Sequence, residues 1–361
     1  MTLEQASAQV DEAKVEAFME KAFGDFTGAM LTSMCALGDR LGLFKALAEM
    51  GPATAGELAS RTGVNERYAR EWLRGMTAGG YVAYDRGGDR YVLPPEHAPV
   101  LASEGGPMFL GGAYQETIGM LSVFNAVADR FRDGGGVEQA SYPDDFWDGL
   151  SRFTNAWFEN LLVPVWIPAM PDLAAKLEAG ALCADVGCGA GRASIKLAQE
   201  YPSSRHVGYD VSDAQIERAR RNAADAGVGD RVRFEKRDVV EGLPERFDVV
   251  TTFDVIHDAA DPLGLLKAIR AGLDDDGIYV CLDINCADDP ADNEGPLAAA
   301  FYGFSVFYCM TTSLANGGAG LGTCGLPHAK LSELCEEAGF GEVRRLPLEN
   351  PFNNVYEVRA R

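Results

Sequence analysis

The stretch ALCADVGCGAGRASIKLA, residues 181–198, decides how this chain folds. An apolar run ends at Asp185-Val186, and Gly187, Gly189 and Gly191 then open an amphipathic run. The pattern is a strand turning sharply into a helix, with glycine where the backbone turns and where a ligand approaches without meeting a Cβ. A dinucleotide site needs G-x-G-x-x-G, with pyrophosphate on the helix N-terminus. Counted from Gly187 and Gly189, the third position of that pattern is Arg192, so the arrangement is D-x-G-C-G-x-G instead. Cys188, inside the motif, reads as a small residue packed under the turn.

Outward from this turn, strands and helices alternate from about 172 onward. Apolar strands are expected at ALCADVG, SSRHVGYDV, RVRFEKRDV, FDVVTTFDV and GIYVCLDI, with helices such as RASIKLAQEY and AQIERARRNAADAG between them. A long insertion at about 285–326 precedes a helix, HAKLSELCEEAGF, and two closing strands, GEVRRLPL and NNVYEVRA. The expected class is α/β: a doubly wound, Rossmann-like sheet of seven strands whose last hairpin is antiparallel.

The N-terminal part reads differently. Residues 5–23 form an amphipathic helix by their spacing, and a second helix follows in GAMLTSMCALGDRLGLFKALAEM, stopped by Gly51-Pro52. Thr54 with Glu57 three residues on is a capping box, and Gly63 turns into a helix at about 65–77 carrying Tyr68, Trp72 and Met76. GYVAYDRGGDRYVL then alternates around Gly-Gly as a hairpin does. Helix-turn-helix plus hairpin is a winged helix. Three domains result: N-terminal helices and winged helix over 1–95, an aromatic-rich helical connector over 96–171, and the sheet domain over 172–361. Gly134-Gly135-Gly136 marks a loop in the connector.

Length, 361 residues, suits two or three domains. The N-terminus is acidic and amphipathic, and no apolar run of membrane-spanning length is read from the sequence, so a cytoplasmic chain without membrane attachment is expected. The formal charge of −22 opposes contact with nucleic acid. The winged helix offers no basic footprint either: six arginines stand against five acidic residues between 57 and 90. Eight cysteines form no C-x-x-C pair, and the histidines at 97, 206, 257 and 328 are scattered, so no metal-ligand cluster shows.

The glycine motif resembles the first motif of class I S-adenosylmethionine (SAM)-dependent methyltransferases, and later landmarks agree in order. Asp185 precedes the turn at Gly187, Gly189 and Gly191. Asp210-Val211 ends the second strand, where a carboxylate accepts from the ribose hydroxyls. Asp238-Val239 ends the third, where the family reads and stacks the adenine. Phe253-Asp254 ends the fourth, beside the sulfur. With the winged helix and connector, the chain resembles dimeric small-molecule O-methyltransferases, and its late insertion resembles a subgroup of bacterial winged-helix methyltransferases. In that family a stretch ending His-Asp carries the base that deprotonates the acceptor, and VIHDAADP places His257 there, followed by Asp258. The plant-type enzymes have a tryptophan soon after His-Asp, where this chain has Ala259-Ala260. Asp283 and Glu294 are candidates for the carboxylates that steer the histidine.

The resemblance implies SN2 methyl transfer to a hydroxyl or carboxyl oxygen of a small organic acceptor, with SAM as cofactor and a homodimer built through the N-terminal domain; no metal is expected from the scattered histidines and cysteines. Methylation of nitrogen, carbon or sulfur, or a SAM-binding regulator using the winged helix on DNA, are the alternatives. No Asn/Asp-Pro-Pro-aromatic motif or Pro-Cys nucleophile follows a strand, which disfavours a nucleic-acid methyltransferase. Trp157, Trp166 and Tyr114 are candidates for the acceptor wall. Tyr302, Phe307 and Met310 are candidates for a lid, hinged at Gly317, Gly318 and Gly320.

Overall fold

The computed structural model describes residues 10–360. The chain forms two compact units, Met1–Ile118 and Gly119–Arg361.

The first unit begins with α1 (Glu12–Arg40), capped by the Asp11 side chain on the Ala13 and Lys14 amides, and α2 (Leu43–Met50). The expected break between two helices near residue 24 does not occur. Gly24 and Gly28 lie within α1, where glycine is tolerated at a modest cost, and the chain turns instead at Gly42, whose φ is +66°. Residues 5–9 of the expected first helix lie outside the described residues. Thr54 and Glu57 form the expected capping box of α3 (Ala55–Thr62), and Asn65 caps α4 (Glu66–Ala78). Strands β1 (Ala83–Asp85) and β2 (Arg90–Val92) pair antiparallel as the wing. Leu58, Trp72, Leu73 and Met76 fill the winged-helix core, and the Trp72 indole donates to the Met34 carbonyl at 2.9 Å. Tyr68 stays 79% exposed, because the buried stripe of α4 runs through Ala69, Trp72, Leu73 and Met76 and leaves it past the edge. On the outer face of α4, Arg67 pairs with Glu71 and Arg70 with Glu66, so two of its positive charges are neutralised within the helix. Helix α5 (Ala98–Leu101) follows, and the boundary between the units falls inside α6 (Gly111–Leu121).

The second unit contains α7 (Phe124–Asp133), α8 (Asp144–Trp157), a π-helical stretch Phe158–Trp166 and α9 (Pro171–Ala179) before the sheet. Its strands are β3 (Leu182–Val186), β4 (Arg205–Asp210), β5 (Val232–Lys236), β6 (Phe247–Phe253), β7 (Leu273–Ile284), β8 (Val343–Arg345) and β9 (Asn353–Arg359), in the order β5-β4-β3-β6-β7-β9-β8. All neighbours are parallel except β9, which runs antiparallel to β7 and β8. The order reverses between β3 and β6, and a doubly wound sheet binds ligands outside the strand ends at such a point. Helices α10 (Arg192–Glu200), α11 (Asp213–Asp225) and α12 (Pro262–Gly272) connect the parallel strands. Buried apolar side chains on both sheet faces, among them Tyr209, Phe247, Val250, Ile278 and Leu282, form the core.

The late insertion folds as α13 (Gly295–Phe304), a π-helical turn Ser305–Cys309 and α14 (Met310–Ala315), followed by α15 (His328–Glu337). Contrary to the reading of the sequence, the continuous segment Gly295–Ala315 is long and apolar enough to cross a membrane, by length and composition. Within the fold it places Phe301, Ser305, Cys309 and Thr311–Ser313 at buried positions. It is anchored where the Val137 amide donates to the Thr311 Oγ1 and carbonyl.

Candidate active site

Each landmark strand delivers its residue to one edge of the sheet. Asp185, near the end of β3, accepts from Ser194 Oγ at 2.8 Å and Thr251 Oγ1 at 2.9 Å, tying α10 and β6 together. Burial pushes its pKa up to about 6. Gly187 has φ +70°, and a Cβ there would lie 2.6 Å from Val255 Cγ2. Gly189 has φ +50° with nothing within 4 Å of where its Cβ would be, so its backbone is bare toward a ligand. Gly191 is the N-cap of α10. Cys188 is half-buried against the cluster around Phe234, and burial raises its thiol pKa well above the ordinary value.

Asp210 closes β4. Its carboxylate accepts from the Gly189 amide and the Ser212 amide, both at 2.9 Å, which fixes its plane beside the glycine turn. Burial raises its pKa. Val211 is 54% exposed just after it. After β5, Asp238 is exposed and caps the next turn through the Val240 amide at 3.0 Å. Val239 is buried in the sheet core, whereas Val240 is 40% exposed. The apolar surface presented beside Asp238 is therefore Val240, which alternation along the turn hides from a motif reading.

Beyond β6 the site changes character. Phe253 packs on Phe158 and Trp166. Asp254 has φ +56°, a conformation that costs a residue with a Cβ and is held here by two bonds. Its amide donates to the Leu282 carbonyl, and its carboxylate accepts from Asn353 Nδ2 at 2.7 Å. His257 is 2% exposed. Its Nδ1 lies 2.7 Å from Asp283 Oδ1 at the end of β7, and its Nε2 lies 3.1 Å from Asp258 Oδ1 in an ion-pair contact. Burial alone would lower the His257 pKa, but Asp283 and Asp258 outweigh it and raise it well above the ordinary value. Burial, with Asp283 next in weight, raises that of Asp254. Of the two carboxylates considered for steering the histidine, Asp283 is in place, while Glu294 is exposed at the N-terminus of α13.

The insertion adds Cys309, whose donor atom with those of His257 and Asp258 lies inside a 4.8 Å cluster. Thr323 Oγ1 donates to its sulfur at 3.0 Å. Next to Cys309, Tyr308 joins Tyr142, Phe146 and Trp147 in an aromatic group. Phe307 stacks on Phe124, Tyr302 is 43% exposed and Met310 is half-buried. Among the wall candidates, Trp157 packs on Phe153 and Phe352, Trp166 is a core residue, and Tyr114 lies in the first unit near Cys35 and Tyr81. Gly317 and Gly320 have positive φ, but Gly318 is a packing contact: a Cβ there would fall 2.4 Å from Ala260 Cα. The Ala319 amide donates to the Ala260 carbonyl, and Ser313 Oγ to the Ala259 carbonyl. The space after His-Asp is thus filled by this loop and by Ser313.

The residues at the β3, β4 and β5 ends fit a nucleoside bearing an amino-acid tail: a bare glycine turn, a fixed carboxylate and two exposed valines at one sheet edge. The strand order and this edge define a class I SAM-dependent methyltransferase. Comparison with known proteins agrees: residues 29–103 match the Rv2258c-like winged HTH domain family and residues 177–313 a methyltransferase domain family. A 3-hydroxy-5-methyl-1-naphthoate 3-O-methyltransferase from Streptomyces sahachiroi is 27% identical over 343 residues, 91% of each chain. The mitomycin 7-O-methyltransferase structure shares the fold at TM-score 0.68 and 19% identity, covering 97% of this chain and 99% of that one. Human N-acetylserotonin methyltransferase, solved with SAM, does so at TM-score 0.67 and 16% identity, covering 98% of both. The chain thus joins a winged-helix domain to a methyltransferase domain, the combination of a SAM-dependent methyltransferase.

Proposed function

We propose that this enzyme methylates an oxygen of a small organic acceptor, with His257 as the base. The observation that carries the reading is the 2.7 Å contact between His257 Nδ1 and Asp283 Oδ1, which orients the ring so that Nε2, facing Asp258, handles the acceptor's proton. Bound SAM supplies a methyl group already activated by its sulfonium. Asp210 holds the ribose hydroxyls, Gly187, Gly189 and Gly191 admit the tail with Asp185 bracing the turn, and Val211, Asp238 and the Val239-Val240 turn receive the adenine. Phe253 and Asp254 shape the edge nearest the methyl group. Asp258 steers His257 from the acceptor side. The aromatic group around Tyr308 suits a planar acceptor, as does the 27% identity to an enzyme acting on a hydroxynaphthoate.

Alignment of nucleophile and methyl supplies much of the rate, and general-base help adds about a hundredfold or more. His257→Ala is therefore expected to bind SAM normally by calorimetry yet lose at least that factor with a hydroxyl acceptor. Near-wild-type turnover across pH 6–9 would sink the base assignment. A screen of phenols, carboxylates, amines and thiols with labelled SAM identifies the acceptor atom. All eight cysteines are unpaired, which suits a cytoplasmic enzyme, and the working form is a homodimer through the N-terminal domain. Nucleic acid is not a substrate in this reading.

A further inference from the structure

We propose that His257, Asp258 and Cys309 form a zinc-type metal site, and that a zinc ion bound there closes off the base. The donor set is mixed nitrogen, oxygen and sulfur, with the three donor atoms within 4.8 Å of one another. Imidazole and thiolate donors select zinc and its neighbours over magnesium or calcium. His257 Nε2 and Asp258 Oδ1, 3.1 Å apart, are at the separation of two ligands on one tetrahedral ion.

Three further features look like a built site. Asp258 Oδ1 is buried and, beyond its contact with His257 Nε2, has no hydrogen-bond partner, so a ligand valence is open. The other nitrogen of His257 is held by Asp283, the carboxylate–histidine pairing that orients a metal-binding imidazole. Burial pushes the Cys309 thiol up to about 12, and the Thr323 hydroxyl, donating to its sulfur at 3.0 Å, works against that in favour of a thiolate. Charge points the same way. Asp254, Asp258 and Asp283 crowd a single imidazole in a chain of net charge −22. A divalent ion with one carboxylate, one thiolate and one neutral imidazole sums to zero, which lowers the cost of burial.

On binding, the Cys309 thiol and His257 Nε2 each give up any proton they carry to solvent, and their lone pairs pass to the metal. No oxidation state changes. A coordinated Nε2 has no lone pair for an acceptor proton, so the metal inhibits.

The site is tested on full-length, chelator-treated enzyme with cobalt(II) as a spectroscopic probe. One cobalt per chain with a sulfur-to-metal charge-transfer band is expected, absent from Cys309→Ser and kept in Cys324→Ser, which removes a half-buried thiol that interacts with Cys286. Thr323→Val should weaken cobalt binding about tenfold, the usual cost of losing an outer partner, and serves if Cys309→Ser fails to fold. No band, or a band that persists in Cys309→Ser, overturns the site. These readouts need no acceptor, so they stand apart from the assignment of the methylated atom. Zinc should inhibit methyl transfer by the wild type, and Cys309→Ser should need about tenfold more zinc relative to its own metal-free rate. Cobalt bound through Cys309 together with undiminished turnover in zinc overturns the closure of the base.

Discussion

In the proposed reaction His257 is the base, and the two carboxylates beside it set when it can act. A base must be unprotonated to accept a proton, and Asp283 and Asp258 hold its pKa well above 6.5. The chelator-treated enzyme should therefore show kcat/KM rising with pH along a limb well above 6.5, since that ratio reports the free enzyme. Asp283→Asn removes one of the charges that raise it, so the limb should move to lower pH, with a reduced plateau. An unmoved limb would detach Asp283 from the base. His206 on β4 titrates the other way. Burial pushes its pKa down to about 4, so the unfolded chain binds its proton first as pH falls. The stability from keeping it neutral, about 3 kcal/mol, is present above pH 6.5 and lost as pH falls toward 4. Asp185, raised to about 6, opposes this over part of the window, because its protonated form is the one the fold prefers. Urea midpoints between pH 4 and 6.5 should consequently rise less steeply with pH in His206→Phe than in the wild type.

At the scale of elements, the glycine turn is the most exacting piece. Gly187→Ala puts a methyl group 2.6 Å from Val255 Cγ2 at φ +70°. A cost of about 1–3 kcal/mol in stability is expected, together with weaker SAM binding by calorimetry; unchanged affinity and melting temperature would contradict the close packing. This turn, the Thr54–Glu57 box and all seven strands were legible in the sequence because each rests on local chemistry within a few residues. What was hidden depends on distance along the chain. Asp283, one of two carboxylates that the resemblance offered, meets His257 from β7, whereas Cys309, from the insertion, and Asn353, reaching Asp254 from β9, were not foreseen. No spacing rule links such residues. The helix break was misplaced for a different reason: glycine is compatible with a helix interior when nothing else ends it, and only the positive φ at Gly42 does. Gly318 likewise read as a hinge because composition cannot distinguish freedom from close packing.

At the scale of the molecule, α1 leaves a long apolar face uncovered. Met19, Phe23, Phe26, Met30 and Leu37 are 65%, 65%, 59%, 51% and 51% exposed. Their spacing of four and three residues, with Ser33 filling the next step, traces the seam on which two helices pack. Large aromatic side chains exposed in such a row are rare on a monomer, and each gains about 1.5–3 kcal/mol from full burial. The second copy of the chain is the partner that needs no further component, and a twofold axis lets one face cover its own mate. Sedimentation velocity should therefore show a dimer at micromolar concentration, with a melting temperature that rises with protein concentration. Phe23→Glu with Phe26→Glu sets like charges on that seam and should yield a folded monomer of unchanged far-ultraviolet circular dichroism. A wild type that sediments as a monomer would remove the twofold reading and leave the face to a different protein.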